Sequence, residues 1–549
     1  MPSGSTAVWR VAAASLALTA ALGAALGHLR SGVASPFEVR IFQHLSLFQD
    51  FYVILPFLAI LLLALLAPFR NAGILVADWC GRHVAWVALA TSAGLAAGTH
   101  AVYHLHPLSL DEYLALFQSQ VFAEGRLAGQ FPPALLDWLV PLDFRGKFLV
   151  VAGDGAVAPA YWPGFSLLLL PFTALGVPWL LNPLIGGATV LVAHRIALRL
   201  SEDARGAGLV VLLTLGSQAV TVNALSYYSM PAHLLANGIY VLLLLAPTPA
   251  RALGAGLLGS VALSLHNPMP HLLFCLPWIA WLAWRPDRWR LLPALAAGYL
   301  PAVLVLGWGW ALYLASLERG MPVSELMVPG KALRVLLARL DTVSSWTHGS
   351  LAEMRLLDFG KLWLWASPAL VTAATLGAFS TWRDTGPWRP LIAAAALTYA
   401  GYFVMPFAQG HGWGYRYFHA AWLALPLLAL GAVRGAARQP LFGYLAGCAL
   451  LSLALLTCLR ALQVEQFIAR HLAQAPTVQG GEARFIFIEL RGGYYAWDLV
   501  QNDPFLRNRS VMLHSRGMQA DRALMASQFP EHRLLQADSR GSVWGGVRR

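Results

Sequence analysis

Two adjacent carboxylates, Asp111 and Glu112, stand in the stretch "HPLSLDEYLALFQSQVFAEG", directly after an apolar run that ends near Tyr103. Ser109 and Glu112 have the spacing of a capping box, in which Glu112 bonds back to the start of a helix and no chemistry is needed. Asp111 would lie in the first helical turn, where the helix dipole favours an ionised carboxylate. Because acids at a membrane boundary are often functional, a chemical role for Asp111 is the alternative interpretation.

The residues after this pair predict a helix with one apolar face. Apolar side chains recur at helical spacing in Leu110, Leu114, Phe117 and Val121. We expect this helix to lie on the outer surface of the membrane.

The composition requires a membrane around these residues. The 549 residues are 58% hydrophobic and 12% charged, which excludes a soluble globular protein of this length. The net charge of +12 is spread over short loops rather than gathered in a basic domain, so nucleic acid is not an expected partner. The four cysteines lack metal-ligand or redox spacing, so neither disulfides nor zinc are predicted.

Apolar runs of about 17 to 25 residues are long enough to cross a bilayer as helices. Thirteen such runs predict transmembrane helices at residues 8–29, 49–68, 83–103, 181–200, 206–223, 231–247, 252–266, 271–285, 291–313, 361–381, 388–408, 416–434 and 440–461. Arginine-rich short loops, such as Arg70 with Arg82 and Arg285 to Arg290, predict the cytoplasmic side. The long connections 104–160 and 314–360 then lie outside.

Residues 161–178, "YWPGFSLLLLPFTALGVP", are apolar enough to cross the membrane, but a crossing would invert the next arginine-rich loop. Pro163, Gly164 and Pro171 interrupt their helix, and irregular backbone at membrane depth needs protein or a cavity around it. The sequence therefore predicts a re-entrant or juxtamembrane element here.

The composition changes after residue 462. "RFIFIEL" and "SVMLH" predict short strands, Met518 to Gln528 a helix, and Arg533 to Ala537 a third strand. We expect a transmembrane domain at 1–462 and a small extracytoplasmic α/β domain at 463–549.

Several of these segments together resemble a known family. A span, then Asp111-Glu112-Tyr113, "AEGRLAG", "YWPGFSLLLLPF" and "GHGWGYRYFHAAWLALP" resemble the GT-C glycosyltransferases. The chain is most similar to bacterial relatives of protein O-mannosyltransferases and of lipid A aminoarabinose transferases, from about residue 83 to the C-terminus. This resemblance implies an all-α polytopic fold and sugar transfer from a polyprenyl-phosphate donor, with Asp111 as catalytic base and Glu112 supporting it.

The chain departs from some members of that family in two places. No Lys-Pro-Pro-like step precedes the aromatic–proline element, and Arg145 and Lys147 are its nearest substitutes. In the second outer loop, where several relatives place an aspartate, "SYYSMPAHLLAN" offers Tyr227, Tyr228 and His233. A different donor or acceptor is therefore expected, and a second catalytic acid is in doubt.

In an inverting transfer from a lipid phosphate sugar, the departing phosphate gathers negative charge that cationic donors must stabilise. Arg416 is the leading candidate because a guanidinium fork matches phosphate oxygens, although arginines at helix ends also extend to lipid headgroups. His411, His419 and Lys147 are the further candidates for binding the donor phosphate.

Other side chains could line a substrate cavity: Tyr113, Tyr228, His233, His266, His271, Trp413 and Tyr415. Trp413 and Tyr415 fit an interfacial aromatic belt equally well. For His266 and His271 simple hydrogen bonding is expected ahead of metal binding, and no metal site is predicted.

The sequence thus predicts a metal-independent glycosyltransferase that needs no cofactor. Its expected partners are a polyprenyl-phosphate sugar, membrane lipids, and a glycolipid, polysaccharide or protein acceptor. We expect a multi-pass protein of the bacterial inner membrane with its site facing the periplasm or exterior. The alternatives are a transporter or flippase of lipid-linked saccharides and, more weakly, a scaffold protein.

Overall fold

The computed structural model of the chain describes residues 4–35, 39–320, 351–403, 405, 408–435, 438–477, 484–490 and 496–546. The predicted outer loop 314–360 falls partly outside these residues. Contacts divide the chain into two compact units. The first unit contains Met1–Thr99, Leu180–Leu304 and Trp346–Gln463, and the second contains His100–Trp179, Val305–Ser345 and Val464–Arg549.

Helices make up most of the first unit, and the second unit combines helices with strands. In chain order the helices are α1 Gly4–Ser31, α2 Ile41–Phe48, α3 Ile54–Leu63, α4 Ala67–Arg82, α5 Val84–Ala101, α6 Leu110–Ala123, α7 Leu136–Leu139, α8 Gly164–Ala174, α9 Leu181–Ser201, α10 Ala204–Leu215, α11 Gln218–Asn223, α12 Met230–Leu244, α13 Pro249–Ser264, α14 Met269–Ala283, α15 Leu292–Ala302, α16 Trp310–Arg319, α17 Leu351–Leu364, α18 Leu370–Thr381, α19 Trp388–Phe403, α20 Ala424–Ala432, α21 Gln439–Leu451, α22 Thr457–Leu472 and α23 Met518–Gln528.

Five helical segments of the described chain are long and apolar enough to cross a membrane: Thr6–Ser31, Ile41–Leu63, Pro178–Ser201, Trp289–Arg319 and Gln439–Leu472. Five shorter apolar helices, of 10 to 17 residues, accompany them. The chain is therefore a multi-pass membrane protein, and the count of thirteen spans stays a prediction.

Two predictions about the first unit were wrong in detail. The segment holding Arg70 and Arg82 is not a loop but helix α4, which packs against α10 and α21. Its Gly81 faces the backbone of α10 so closely that a side chain there would clash with Ala204. The predicted span 206–223 is broken between α10 and α11, at Gly216 and Ser217.

The second unit contains both sheets. Strands β1 Gly129–Gln130, β2 Leu149–Val151 and β3 Ala156–Pro159 form an antiparallel sheet in the order β1-β3-β2. Strands β4 Arg484–Ile488, β5 Val511–His514, β6 His532–Asp538 and β7 Gly541–Gly546 form the order β5-β4-β7-β6, with β4 and β5 parallel.

The strands predicted after residue 462 and helix Met518–Gln528 are present, whereas β7 was not predicted. This C-terminal segment is grouped with residues 100–179 and not by itself. The reason lies in α6, because its apolar stripe packs in one core with residues of the second sheet and α23. That core includes Leu114, Phe117, Phe487, Leu513, Leu524 and Trp544. The expectation that this stripe faces lipid was wrong: protein covers it.

The segment 161–178 forms the short helix α8, which packs along α6. Eleven residues of helix extend only about 17 Å, shorter than the roughly 30 Å hydrocarbon core. Pro163 precedes this helix and Pro171 lies inside it, and the hydroxyls of Ser119 and Thr173 bond across the contact.

Candidate functional site

Asp111 lies in the first turn of α6, and its side chain is half-exposed. The hydroxyl of Tyr161 donates a hydrogen bond to Asp111 Oδ1 at 2.5 Å. A donor to a carboxylate favours the ionised form, as does the positive end of the helix dipole. The Tyr161 hydroxyl therefore orients the carboxylate, while solvent still reaches it.

Tyr161 is held in place by aromatic side chains of the second unit. The indole of Trp310 donates to the Tyr161 carbonyl at 2.8 Å, and the ring of Phe148 stands edge-on to the tyrosine ring. Gly307 lies against Trp162, where an added Cβ would come within 2.7 Å of the indole. The aromatic–proline element thus supplies Tyr161 as the partner of Asp111. The sequence did not predict this pairing.

Glu112 points into the interior of the second unit. It is fully buried, and its Oε1 accepts a hydrogen bond from the Tyr103 hydroxyl at 3.1 Å. Ser109 is the N-cap residue as predicted, but its side chain accepts no bond from the first-turn amides. The carboxylate of Asp498 accepts from the Leu110 amide at 3.1 Å instead. Part of the cap therefore comes from the C-terminal segment.

Tyr113 is a structural contact in the same unit. Its hydroxyl donates to the Asn502 carbonyl at 2.6 Å and accepts from the Asn502 amide at 2.9 Å. Burial raises the pKa of Tyr113 well above its usual value, so the phenol stays neutral. This arrangement fastens α6 to the strand-bearing segment.

The backbone that leads into α6 is strained. His104 and Leu105 both have left-handed conformations, with φ of 51° and 56°, which side chains other than glycine adopt at a cost. His104 Nε2 lies 3.4 Å from Glu465 Oε1. Burial and the neighbouring His104 lower the pKa of His106 to about 4, so His106 is neutral near pH 7. Such strain persists only where surrounding contacts hold it, and it often marks functional sites.

Arg145 and Lys147 lie on the turn before β2. The Arg145 guanidinium is engaged by the Val140 carbonyl at 3.1 Å and by Asp137 at 2.7 Å. The side chain of Lys147 is exposed, and its neighbour Phe148 contacts Tyr161. Of the two, Lys147 is the one presented to solvent.

The remaining candidates belong to the first unit, where Arg416 ends a glycine-rich loop. Gly410, Gly412 and Gly414 have φ of 70°, 117° and 69°, a region open to glycine. Arg416 Nη1 donates to the carbonyls of Gln409 and His411, at 3.1 and 2.8 Å. Its guanidinium also lies 4.3 Å from the centroid of the Tyr228 ring. Arg416 therefore orders this loop, and it is half-buried rather than extended toward headgroups.

The residues around Arg416 are buried in protein. Trp413, Tyr415, His411 and His419 are each at most 7% exposed, so none forms an exposed aromatic belt or a surface cation. His419 Nε2 bonds the Ala219 carbonyl at 3.1 Å, and Asn223 donates to the Trp413 carbonyl at 2.8 Å. Their main interactions hold the loop against α11.

The histidines of the other outer turns differ from one another. His271 is fully buried and bonds Asn237 Oδ1 at 2.6 Å and the Tyr299 hydroxyl at 2.8 Å. His233 is also buried, but neither ring nitrogen has a hydrogen-bond partner among the described residues. His266 is half-buried. No group of three or more histidine, cysteine or acidic residues in the described part of the chain could hold a metal ion.

The sequence did not predict a buried ionic cluster in the first unit. Asp50 accepts from Lys361 at 3.0 Å, from Arg460 at 2.6 Å and from the Trp365 indole at 2.8 Å. The three charged side chains are at most 2% exposed. Isolated ionisable residues at or inside predicted spans, such as Asp50 and Arg460, were the signal that could have revealed it.

Comparison with solved structures identifies the fold. A crystal structure of ArnT from Cupriavidus metallidurans bound to undecaprenyl phosphate matches with a TM-score of 0.53 and 13% identity, over 85% of this chain and 98% of that one. The apo structure of the same protein matches with a TM-score of 0.50 and 14% identity, over 84% and 98%. No protein-family model and no curated protein sequence matches.

At such identities the likeness is one of fold. ArnT is a lipid A aminoarabinose transferase with the GT-C fold. The predicted GT-C-like architecture is thereby confirmed at the level of the fold.

Proposed function

We propose that this GT-C-like membrane protein is a glycosyltransferase that moves a sugar from a polyprenyl-phosphate carrier to an acceptor hydroxyl on the extracytoplasmic side of a bacterial inner membrane. The main support for this proposal is the carboxylate of Asp111, which is half-exposed and accepts a hydrogen bond from the Tyr161 hydroxyl at 2.5 Å. A second support is the fold, which is shared with a protein crystallised with undecaprenyl phosphate.

The proposed step is a single displacement with inversion. The acceptor oxygen attacks the anomeric carbon, and the bond from that carbon to the phosphate oxygen breaks, leaving its electron pair on the phosphate. The hydroxyl proton passes to Asp111, which acts as general base and needs only hydrogen-bond reach of the nucleophile. Tyr161 is the positioning residue, because its hydroxyl fixes the carboxylate.

The departing phosphate needs cationic partners, and we assign this task first to Lys147. It is exposed and lies in the same unit as Asp111, next to the residue that contacts Tyr161. Arg416 and His419 belong to the first unit, and their role in phosphate binding stays a prediction. The Arg416 guanidinium is half-buried on the Tyr228 ring, and His419 is buried and bonded to a carbonyl. Glu112 supports the site through the fold of α6, and no metal or cofactor is part of the proposal.

The decisive experiment uses the full chain in detergent with a labelled undecaprenyl-phosphate sugar. Asp111→Asn should lower the transfer rate by about 10²- to 10⁴-fold, the usual contribution of a general base. The matched control is Asp143→Asn, which changes an exposed acid in the same unit and should leave the rate unchanged. Transfer that persists in Asp111→Asn removes the base, and movement of intact lipid-linked saccharide without bond cleavage supports a flippase.

Tyr161→Phe tests the positioning role separately. The variant keeps the ring contacts but removes the donor to Asp111, so the acidic limb of the pH–rate profile should move to higher pH. An unshifted limb, with transfer reduced at every pH, would show that Tyr161 only supports the fold.

A further inference from the structure

The second unit also has a cleft on a different side of α6. Its volume is about 330 Å³, within the range of sites for small molecules. One wall is α6 and the other is the segment 501–508. The side chains that matter are Tyr113, Leu116 and Gln120 on the helix, and Gln501, Arg507 and Asn508 opposite.

The charges of the cleft exclude two ligand classes. Arg507 is engaged by both oxygens of Asp503, at 3.1 and 3.2 Å, and by Glu124 at 2.7 Å. Two carboxylates therefore outweigh the single guanidinium, which disfavours an anion. Asp503 already accepts bonds from Arg507 and from the Phe505 amide at 2.8 Å, so its oxygens are poorly placed to ligate a cation.

An apolar ligand is excluded by the lining, because Leu116 is its one aliphatic residue. What remains is a set of neutral hydrogen-bonding groups. Gln120 forms no hydrogen bond with any described residue, and Asn508 uses only its Oδ1, which accepts from the Asp503 amide at 2.5 Å. Gln501 donates through Nε2 to the Pro107 and Asp498 carbonyls, which leaves its Oε1 as an acceptor. Amide donors and acceptors beside one aromatic ring match a compact molecule with many hydroxyls.

We propose that this cleft binds a neutral saccharide unit. Amide groups of Gln120, Gln501 and Asn508 bond its hydroxyls, while the ring of Tyr113 and the side chain of Leu116 contact its apolar face. Each such amide pairing with a hydroxyl replaces a bond to water and so contributes little net affinity; a single unit therefore binds weakly and a linked chain more tightly.

The cleft is separate from the Asp111 site. Gln120 follows Asp111 by nine residues, which at about 100° per residue places it on the opposite face of α6, roughly 13 Å along the axis. A saccharide in the cleft is therefore not the reacting sugar. That it belongs to the acceptor rests on the proposed function, whereas its binding does not.

The test is saturation-transfer NMR on the full chain in detergent, with neutral mono- and disaccharides of glucose, galactose, mannose and N-acetylglucosamine as probes. Gln120→Leu removes the unpaired amide, and Leu116→Trp fills the cleft. Gln528→Leu is the matched control, an exposed glutamine at the end of α23. We expect signals for at least one probe in the wild type and the control, and binding at least about tenfold weaker in both cleft variants.

Three results would overturn the proposal: no signal for any probe, signals retained in both cleft variants, or displacement of the saccharide by inorganic phosphate. Asp111→Asn separates this proposal from the proposed function. Saccharide binding that persists in this variant supports the cleft, whether or not transfer is lost. If transfer also persists, the proposed function fails and the cleft stands.

Discussion

Two aspartates in different units accept hydrogen bonds from aromatic side chains, and their surroundings differ. In the first unit, Asp50 is buried and surrounded by Lys361, Arg460 and the Trp365 indole. In the second unit, Asp111 is half-exposed and is oriented by Tyr161. Full burial with two cations leaves an acid with a structural role, because any proton uptake there breaks several interactions. Partial exposure beside an orienting donor leaves a carboxylate that solvent can reach, as the proposed role of Asp111 as a base requires.

The largest expected effect tests this comparison directly. Asp50→Asn leaves two buried cations without their counter-ion and should lower the free energy of unfolding by about 3–5 kcal/mol. Asp111→Asn should leave stability near that of the wild type while lowering the transfer rate about 10²- to 10⁴-fold. Thermal unfolding in detergent, followed beside transfer rates, measures both. An Asp50→Asn protein as stable as the wild type would break the distinction.

A second effect concerns the packing of α6. Leu114 is fully buried in the core that α6 shares with the second sheet. Leu114→Ala should therefore lower the free energy of unfolding by about 2–5 kcal/mol. Leu127→Ala changes a leucine that is 52% exposed and should cost far less. Urea unfolding monitored within residues 464–546 by hydrogen exchange reports the difference. Equal costs for the two variants would mean that lipid, not protein, covers the stripe.

A third effect is a dependence of stability on pH in the second unit. Burial lowers the pKa of His514 from 6.5 to about 3, so the folded protein holds it neutral while the unfolded chain takes up a proton. Stability from this group is present above pH 6.5 and is lost as the pH falls toward 3. At pH 5 the loss is about 2 kcal/mol.

His514→Phe should remove the loss of stability at acid pH that His514 causes. The measurement is the difference in unfolding free energy between pH 7.5 and pH 5. His83→Phe, at an exposed histidine, is the control. An unchanged pH dependence in His514→Phe would contradict a buried neutral imidazole.

The smallest expected effect tests whether Tyr113 on α6 stabilises the fold or takes part in the reaction. Tyr113→Phe removes the two bonds to the Asn502 backbone and should cost about 1–3 kcal/mol, near the lower end if water enters. The transfer rate per folded molecule should not change. A fall in transfer that exceeds the loss of folded protein would place Tyr113 in the reaction.

The sequence predicted those features that depend on local patterns. The start of α6 at Leu110, the helix Met518–Gln528 and three of the C-terminal strands follow from periodicity and capping residues. Helix α4 was missed because Arg70, Asp78 and Arg82 lower its hydropathy, although Gly81 allows it to pack closely on α10.

The pairing of distant side chains could not be predicted in this way. An apolar stripe does not specify whether lipid or protein covers it, and here the second sheet does. The sequence also does not show which carboxylate a tyrosine or an arginine will bind. Tyr161 lies 50 residues from its partner Asp111, and Arg460 lies 410 residues from its partner Asp50. The assignment of Asp111 as a base came from family resemblance, and it stays a prediction.

The bond from Asp498 to the Leu110 amide spans 388 residues of chain. During synthesis the first turn of α6 leaves the ribosome long before Asp498 is added to the chain. The helix that carries Asp111 therefore lacks this cap until most of the polypeptide has been made. A nascent protein stopped before that point would lack this bond at the start of α6, which ties the final capping of the helix to completed translation.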